Sequence, residues 1–204
     1  MKKIIIIIIK NLHKIFNYRF FFFLKKQYFI LYSIWIENEF KNYGRNCFIQ
    51  PLRGLKGAKN ITIGSRVNIG YHCILETYTI DKNSFEPKII IGDKTCIGDY
   101  GHITCINKII IGKNVLMGRR VLITDNSHGK SDKSLLITPP TSRPLYSKGF
   151  VVIEDNVWIG DQVCIMPGCT IGQGSIIGAN AVVTKSIPPY CVVCGNPAKI
   201  IKQL

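Results

Sequence analysis

An aliphatic residue at every sixth position is the feature that most constrains the fold of this chain. In the clearest run, the members are Ile153, Ile159, Ile165, Ile171, Ile177 and Val183. Glycine directly follows three members of this run, at Gly160, Gly172 and Gly178. Earlier sets with the same spacing begin at Ile63, Ile91 and Ile111. The repeat therefore organises most of the chain beyond residue 60.

A period of six fits neither regular element, since helical side chains recur every 3.6 residues and strand side chains every 2. It fits a strand of about three residues followed by a corner, and three such sides close a coil of about eighteen residues. Such coils stack at the ~4.8 Å spacing of neighbouring strands, with the aliphatic column inside. The glycine allows either a close approach between coils or a positive φ. We therefore predict an all-β fold of stacked parallel strands. A sandwich of short strands is the alternative that the strict spacing disfavours.

Three interruptions of the repeat predict loops. Relative to the period, ten residues are inserted after Leu75, two after Ile103 and twenty-four after Ile123. Loops that leave a rigid scaffold commonly carry binding and catalytic residues. The start of the longest insertion is therefore the first place to expect a site.

The same spacing divides the chain into segments. We predict a helical N-terminal arm at 1–42, a β-helix at 43–190 and a C-terminal tail at 191–204. The inserted loops of the β-helix lie at about 76–88 and 129–152.

The arm differs in composition from the rest of the chain. Residues 1–36 contain seven lysines or arginines, no acidic residue, and the runs IIIIII and FFFFL. The longest apolar stretch, 28–36, is much shorter than the ~20 residues that span a bilayer. Two roles stay open for this helical arm. It lies on an anionic membrane face, or it packs its apolar side on its own domain or on a neighbouring subunit.

The net charge of +15, from 27 basic and 12 acidic residues, predicts an anionic partner. No nucleic-acid reader motif accompanies the charge, so we expect no nucleic-acid partner.

The eight cysteines occur in a 204-residue chain without a convincing secretion signal, and Cys191 and Cys194 form a CxxC with no second pair. We therefore expect no metal and a cytoplasmic location, with peripheral association with the inner membrane face left open.

Several segments resemble the hexapeptide-repeat acyltransferases, namely VWIGDQVCIMPGCTIGQGSIIGANAVVTKSIPPY (157–190), GNPAKII (195–201) and ITDNSH (123–128). The segment PPTSRPLYSKG (139–149) resembles the branch that O-acetylates surface polysaccharides such as O-antigen and capsule. The resemblance covers roughly residues 43–204. It implies a left-handed parallel β-helix, acetyl-CoA as acyl donor and a homotrimer. The left hand rests on the resemblance alone, because parallel crossovers are generally right-handed.

Acetyl transfer to a hydroxyl needs a base, and histidine titrates near the required pH. Of the four histidines, only His128 lies where the repeat gives way to the long insertion, at a position that we place at a coil corner. It also matches the catalytic histidine that the resemblance implies. Asp125 is a candidate for orienting its imidazole, and a solvated turn residue is the equal alternative. Glu76, which opens the ten-residue insertion, is a candidate for the acceptor site.

The resemblance also implies contacts to coenzyme A. Trp158 matches a tryptophan near the thiol end, and Ala179 and Thr184 match backbone contacts to the pantetheine arm. Lys185 and Lys199 match basic positions that meet the nucleotide phosphates. These assignments agree with the chemistry, because cations bind phosphates and small residues permit close approach.

The expected function is acetyl-CoA-dependent O-acetylation of a sugar hydroxyl in surface polysaccharide or in a lipid-linked glycan precursor. No nucleophile motif accompanies His128, so we expect direct transfer without an acyl-enzyme. N-acetylation of an amino sugar nucleotide and a non-catalytic solenoid remain alternatives. Metal chemistry, as in the β-helical carbonic anhydrases, would need three converging histidines, and His72, His102 and His128 lack the HxxxxH spacing.

Overall fold

The computed structural model describes residues 2–80 and 86–204. The chain begins with two helices, α1 (Lys2–Ile15) and α2 (Tyr18–Trp35), and continues as short strands connected by corners. Short 3₁₀ helices occur at Ile36–Glu39, Ala58–Asn60, Lys133–Leu135 and Pro140–Ser142. Part of the loop expected at about 76–88, residues 81–85, lies outside the described residues.

The strands form six successive coils of three strands each, which we call coils 1–6 and together the coil stack. Coils 1–4 comprise β1 (Asn42–Tyr43), β2 (Phe48–Ile49), β3 (Gly54–Lys56), β4 (Ile61–Ile63), β5 (Asn68–Ile69), β6 (Ile74–Thr77), β7 (Lys88–Ile91), β8 (Cys96–Ile97), β9 (His102–Cys105), β10 (Lys108–Ile111), β11 (Leu116–Met117) and β12 (Leu122–Thr124). A hairpin follows, made of β13 (Ser127–His128) and β14 (Leu145–Tyr146). Coils 5 and 6 comprise β15 (Val151–Ile153), β16 (Trp158–Ile159), β17 (Cys164–Ile165), β18 (Thr170–Ile171), β19 (Ile176–Ile177) and β20 (Val182–Val183). The last strands are β21 (Cys191–Cys194) and β22 (Lys199–Gln203).

Corresponding strands of successive coils pair in parallel and build three sheets. Sheet A contains β1, β4, β7, β10, β15 and β18, and sheet C contains β3, β6, β9, β12, β17 and β20. Sheet B contains β2, β5, β8, β11, β16 and β19, and is extended by β21 and the antiparallel β22. The chain therefore visits the three sheets in rotation, as the period of six predicts.

The aliphatic column stays in register across every insertion. On sheet A, Ile63 pairs with Ile91, Ile91 with Ile111, Ile111 with Ile153, and Ile153 with Ile171. The first three offsets exceed eighteen residues by the ten, two and twenty-four inserted residues. These side chains are at most 2% exposed. The observed register therefore agrees with a coil of eighteen residues.

The glycines of the repeat permit close approach between coils rather than a positive φ. A Cβ added to Gly98 would lie 2.5 Å from the carbonyl oxygen of Gly118, and one added to Gly92 would lie 2.6 Å from that of Gly112. Neither glycine has a positive φ. Among the described residues, eleven non-glycine residues take the left-handed corner conformation instead, and nine of them lie two positions after a repeat glycine. The eleven are Asn46, Arg66, His72, Lys94, Tyr100, Asn114, Arg120, Asn156, Gln162, Asn180 and Tyr190.

Helix α2 closes the open end of coil 1. Phe29 and Ser33 are buried against the coil. The Ser33 hydroxyl accepts the backbone N–H of Ile49 at 2.9 Å, and the Tyr32 hydroxyl accepts that of Leu52 at 3.2 Å. These contacts satisfy strand donors that would otherwise be free at the end of the stack. Packing of the arm on its own domain is thus observed for the second half of α2.

Helix α1 has a different environment, because none of its residues is buried. Between α1 and α2, the Asn17 side chain caps α2 by accepting the N–H groups of Arg19 and Phe20. In the part of the chain that the structure describes, no helix combines the length and apolar character needed to cross a membrane.

Gly98→Ala tests the close approach of coils 3 and 4. The added methyl group would overlap the backbone of coil 4, and we expect the free energy of unfolding to fall by about 1–3 kcal/mol. Denaturant unfolding followed by circular dichroism measures the change. Gly54→Ala is the matched control, because its nearest neighbour would be the movable Glu76 carboxylate at 3.3 Å. Equal unfolding midpoints for the two variants would contradict this account.

Candidate active site

His128 lies in the hairpin at the base of the long insertion. Its strand β13 pairs antiparallel with β14, and His128 stands opposite Leu145. The last coil residue in register is Thr124, which pairs with Thr104, and the chain bends at Asp125. The expectation that His128 occupies a coil corner is therefore wrong. The corner comes earlier, because the hairpin pairs Ser127 and His128 with the returning chain.

The side chain of His128 is exposed and lines an open cavity of about 420 Å³. Three cations, Lys130, Lys133 and Arg143, and one carboxylate, Asp132, line the same cavity. A base beside three cations suits an anionic ligand or a negative charge that develops during reaction. No sequence motif pointed to these cations. The signal that could have found them is four basic residues against one acidic residue in the insertion 129–152.

Backbone contacts make the hairpin compact. The N–H of Gly129 donates to the carbonyl of Pro144 at 2.9 Å, with Gly129 in the left-handed region at φ 81°. The Lys130 ammonium lies 4.9 Å from the centre of the Tyr146 ring, within the range of a cation–π contact. The two strands of the insertion therefore hold one another next to His128.

Asp125 is a buried hydrogen-bond acceptor, with none of its surface exposed. Its carboxylate accepts the backbone N–H groups of Ile106 at 2.9 Å and Asn107 at 2.8 Å. The Cys105 thiol donates to it at 3.2 Å and the Asn126 side-chain amide at 3.1 Å. Burial and the nearby carboxylate raise the pKa of the Cys105 thiol, so the thiol remains a protonated donor.

These bonds explain the two-residue insertion after Ile103. The segment 105–107 departs from the repeat, and Asp125 of the next coil satisfies its backbone donors. Within residues 2–80 and 86–204, no hydrogen bond joins Asp125 to His128. The solvated alternative for Asp125 is wrong, because the side chain is fully buried, and its hydrogen bonds give it a structural role. The orienting role stays a prediction.

Glu76 lies on β6 in sheet C and accepts the Tyr78 hydroxyl at 2.7 Å. This hydrogen bond raises the pKa of Tyr78, and the Lys56 ammonium lies 4.1 Å from the centre of the Tyr78 ring. In the sheet register, Glu76 pairs with Thr104, which pairs with Thr124. Two strand spacings, about 10 Å, therefore separate Glu76 from the strand that leads to His128.

The five residues matched to coenzyme A contacts are all exposed and lie beyond coil 4. Trp158 is on sheet B, where it is 53% exposed, and Ala179 follows β19 at the next corner. Thr184 and Lys185 directly follow β20, and Lys199 begins β22. These residues are thus distributed along the last two coils and the tail.

The tail bonds with sheet C before it enters sheet B. The backbone of Val182 in β20 bonds with both Gly195 and Ala198 of the tail, at 3.0 and 2.9 Å. Lys199 follows Ala198 directly and begins β22, where it pairs with Cys194 in sheet B.

The other histidines have separate surroundings. His72 stacks on Tyr71 with ring centres 3.8 Å apart, and His102 lies on β9 in sheet C. His13 is exposed on α1. Among the described residues, no group of three histidine, cysteine or acidic side chains is placed to hold a metal ion.

Residues 150–185 match the family model described as bacterial transferase hexapeptide, six repeats. WbbJ of Escherichia coli K12, provisionally named a lipopolysaccharide biosynthesis O-acetyl transferase, is 42% identical over 119 residues, which are 56% of this chain and 60% of WbbJ. The chain is similar to the hexapeptide-repeat acyltransferase family over these residues. Its resemblance to that family is thereby confirmed.

Two further proteins match over more of the chain. WcaF of E. coli K12, provisionally named a colanic acid biosynthesis acetyltransferase, is 27% identical over 161 residues, 79% of this chain and 76% of WcaF. A Vibrio cholerae hexapeptide-repeat acetyltransferase solved with acetyl coenzyme A superposes with a TM-score of 0.56 at 27% identity, covering 82% of this chain and 73% of that one. The chain spans only 44–62% of the length of WbbJ and three other curated relatives.

Asp125→Ala tests the structural role of this carboxylate. The N–H groups of Ile106 and Asn107 would lose their acceptor, and we expect the free energy of unfolding to fall by about 2–5 kcal/mol. Thermal and denaturant unfolding measure the loss. Asp132→Ala is the control, because Asp132 is an exposed loop residue that caps only Ser134. Unchanged stability together with a shifted pH profile of activity would instead indicate that Asp125 acts on His128.

Proposed function

We propose that this protein is an acetyl-CoA-dependent O-acetyltransferase, with His128 as general base and a sugar hydroxyl of surface polysaccharide, or of its lipid-linked precursor, as acceptor. The observation that carries the proposal is the placement of His128. The histidine of the ITDNSH segment lies exposed on a hairpin strand, in an open cavity with three cations. The provisional names of WbbJ and WcaF support a polysaccharide acceptor.

In this mechanism, a neutral imidazole nitrogen of His128 removes the proton from the sugar hydroxyl. The sugar oxygen attacks the acetyl carbonyl of acetyl-CoA and forms a tetrahedral intermediate. Collapse of the intermediate breaks the carbon–sulfur bond, and the CoA sulfur takes the proton from the imidazolium. Backbone N–H groups near the hairpin are candidates for binding the oxyanion. No acyl-enzyme forms, so intact protein incubated with acetyl-CoA stays unmodified.

The coenzyme is proposed to extend from the hairpin along the exposed residues of coils 5 and 6. Trp158 lies near the thiol end, Ala179 and Thr184 border the pantetheine arm, and Lys185 and Lys199 bind phosphates. Glu76 is retained as a candidate for the acceptor side. The acetyl-CoA complex of the V. cholerae relative supports the choice of donor.

Left-handed winding and a homotrimer belong to the same proposal. His128 is exposed in the single chain, and its cavity is open. A neighbouring subunit placed against this side would restrict the entry of water and supply the missing wall. Cyclic homo-oligomers close such surfaces by symmetry.

His128→Ala is expected to lower kcat for acetyl transfer by about 10²–10⁴-fold, because the general base is lost. Release of CoA thiol, measured with acetyl-CoA and a panel of nucleotide sugars and lipid-linked glycans, reports the rate. His102→Ala is the control, since His102 lies on a strand of sheet C and outside the hairpin. Transfer by His128→Ala at the wild-type rate would refute the assignment. Hydroxylamine cleavage of the product distinguishes an O-acetyl ester from an N-acetyl amide.

Lys185→Gln and Lys199→Gln test the phosphate contacts. Each loss of a charge-assisted hydrogen bond is expected to raise KM for acetyl-CoA about tenfold with little change in kcat. Steady-state kinetics with varied acetyl-CoA measure the effect. Lys202→Gln is the matched control, because Lys202 lies on β22, the strand that begins with Lys199. If all three variants keep the wild-type KM, coenzyme A binds elsewhere on the coil stack.

A further inference from the structure

The N-terminal arm presents a large apolar surface to its surroundings. In α1, the isoleucines Ile4–Ile9 are 50–63% exposed. On α2, eight more large side chains are 46–69% exposed, namely Phe21, Phe22, Phe23, Leu24, Tyr28, Leu31, Ile34 and Trp35. Soluble proteins seldom expose so many large apolar side chains together, so the arm is expected to be an interaction surface.

The apolar residues of α1 concentrate on one side of the helix, and its four lysines lie on the other side, so the helix is amphipathic. A helix with one cationic side and one apolar side is typical of segments that lie in a membrane interface.

Lys25 of α2 faces the coil stack, whereas most of the large apolar side chains of α2 other than Phe29 are exposed. The Lys25 ammonium lies 5.3 Å from the centre of the Phe29 ring and 5.3 Å from that of Tyr71 in coil 2. Lys25 and Lys26 also line a cavity of about 310 Å³ between α2 and coil 1, together with Phe48. A helix at a membrane interface has this arrangement, with cations on the water side and apolar residues in the lipid.

The charge of the arm distinguishes its two candidate binding partners, a neighbouring subunit's arm and an anionic lipid surface. Residues 2–36 carry seven positive charges and no negative charge. Arms of neighbouring subunits would repel one another, whereas anionic lipid headgroups attract each lysine and arginine near the surface.

We propose that the arm docks this protein on the surface of an anionic phospholipid bilayer. Helix α1 and the outward face of α2 enter the boundary between headgroups and acyl chains, and Lys10, Lys14 and Lys26 contact lipid phosphates. The coil stack stays on the water side, because α2 is fixed to coil 1 through Phe29 and Ser33. This inference is independent of the proposed acetyl transfer.

Flotation of the full-length chain with vesicles tests the proposal. We expect binding to vesicles of phosphatidylcholine with phosphatidylglycerol, and much weaker binding to phosphatidylcholine alone. The triple variant Lys10→Gln, Lys14→Gln and Lys26→Gln should weaken binding to the anionic vesicles about fivefold per charge. Ile5→Gln with Ile8→Gln should lower binding to both vesicle types, without loss of stability because α1 has no buried residue.

The matched control removes three positive charges from the coil stack and tail, through Lys94→Gln, Lys113→Gln and Lys202→Gln, and should keep the wild-type binding. Light scattering of all variants gives the number of subunits. The proposal is overturned if the wild-type chain does not bind anionic vesicles, or if the arm and control triple variants bind equally. It is also overturned if Ile5→Gln with Ile8→Gln changes the subunit number while vesicle binding stays the same, since a second copy would then cover α1.

Discussion

Every coil of this protein rests directly on the backbone of the next, and this contact sets the rest of the structure. Where glycine follows the aliphatic residue, as at Gly98, no Cβ would fit between successive coils. Corner aspartates reinforce the contact, since Asp99 and Asp161 accept backbone N–H groups of the preceding coil at 2.9 and 2.8 Å. Because register is held so closely, extra residues leave the stack as loops, and the strands after each loop return to the same columns.

Asp125 extends this principle to an irregular place in the stack. Near a histidine, an aspartate invites a catalytic interpretation, because a carboxylate that orients imidazole is a familiar arrangement. Its oxygens are instead occupied by backbone donors of segment 105–107. A fully buried carboxylate that lost these partners would be costly. The residue next to the site therefore stabilises the strand from which the hairpin leaves.

The period predicted much of the fold, because one slip of register would move a whole aliphatic column out of the core. The lengths of the insertions followed from the number of residues between successive aliphatic positions of the repeat. The placement of His128 on a strand did not follow, since it depends on pairing with Leu145, seventeen positions away. Nor could the contacts of Asp125 be found, because Ile106 and Asn107 lie in another coil. The hand of the coils has no signal in the spacing, which is the same for either winding.

The arm and the hairpin are linked by the geometry of the stack. Helix α2 is fixed to coil 1, whereas the hairpin that carries His128 leaves from the end of coil 4. Three coil spacings amount to about 14 Å along the stack. A membrane held at the arm would therefore keep the hairpin close to the headgroup region. An acceptor glycan attached to a lipid could then meet His128 while its lipid stays in the bilayer, so docking by the arm would raise the local concentration of a lipid-linked acceptor without any added contact to the sugar.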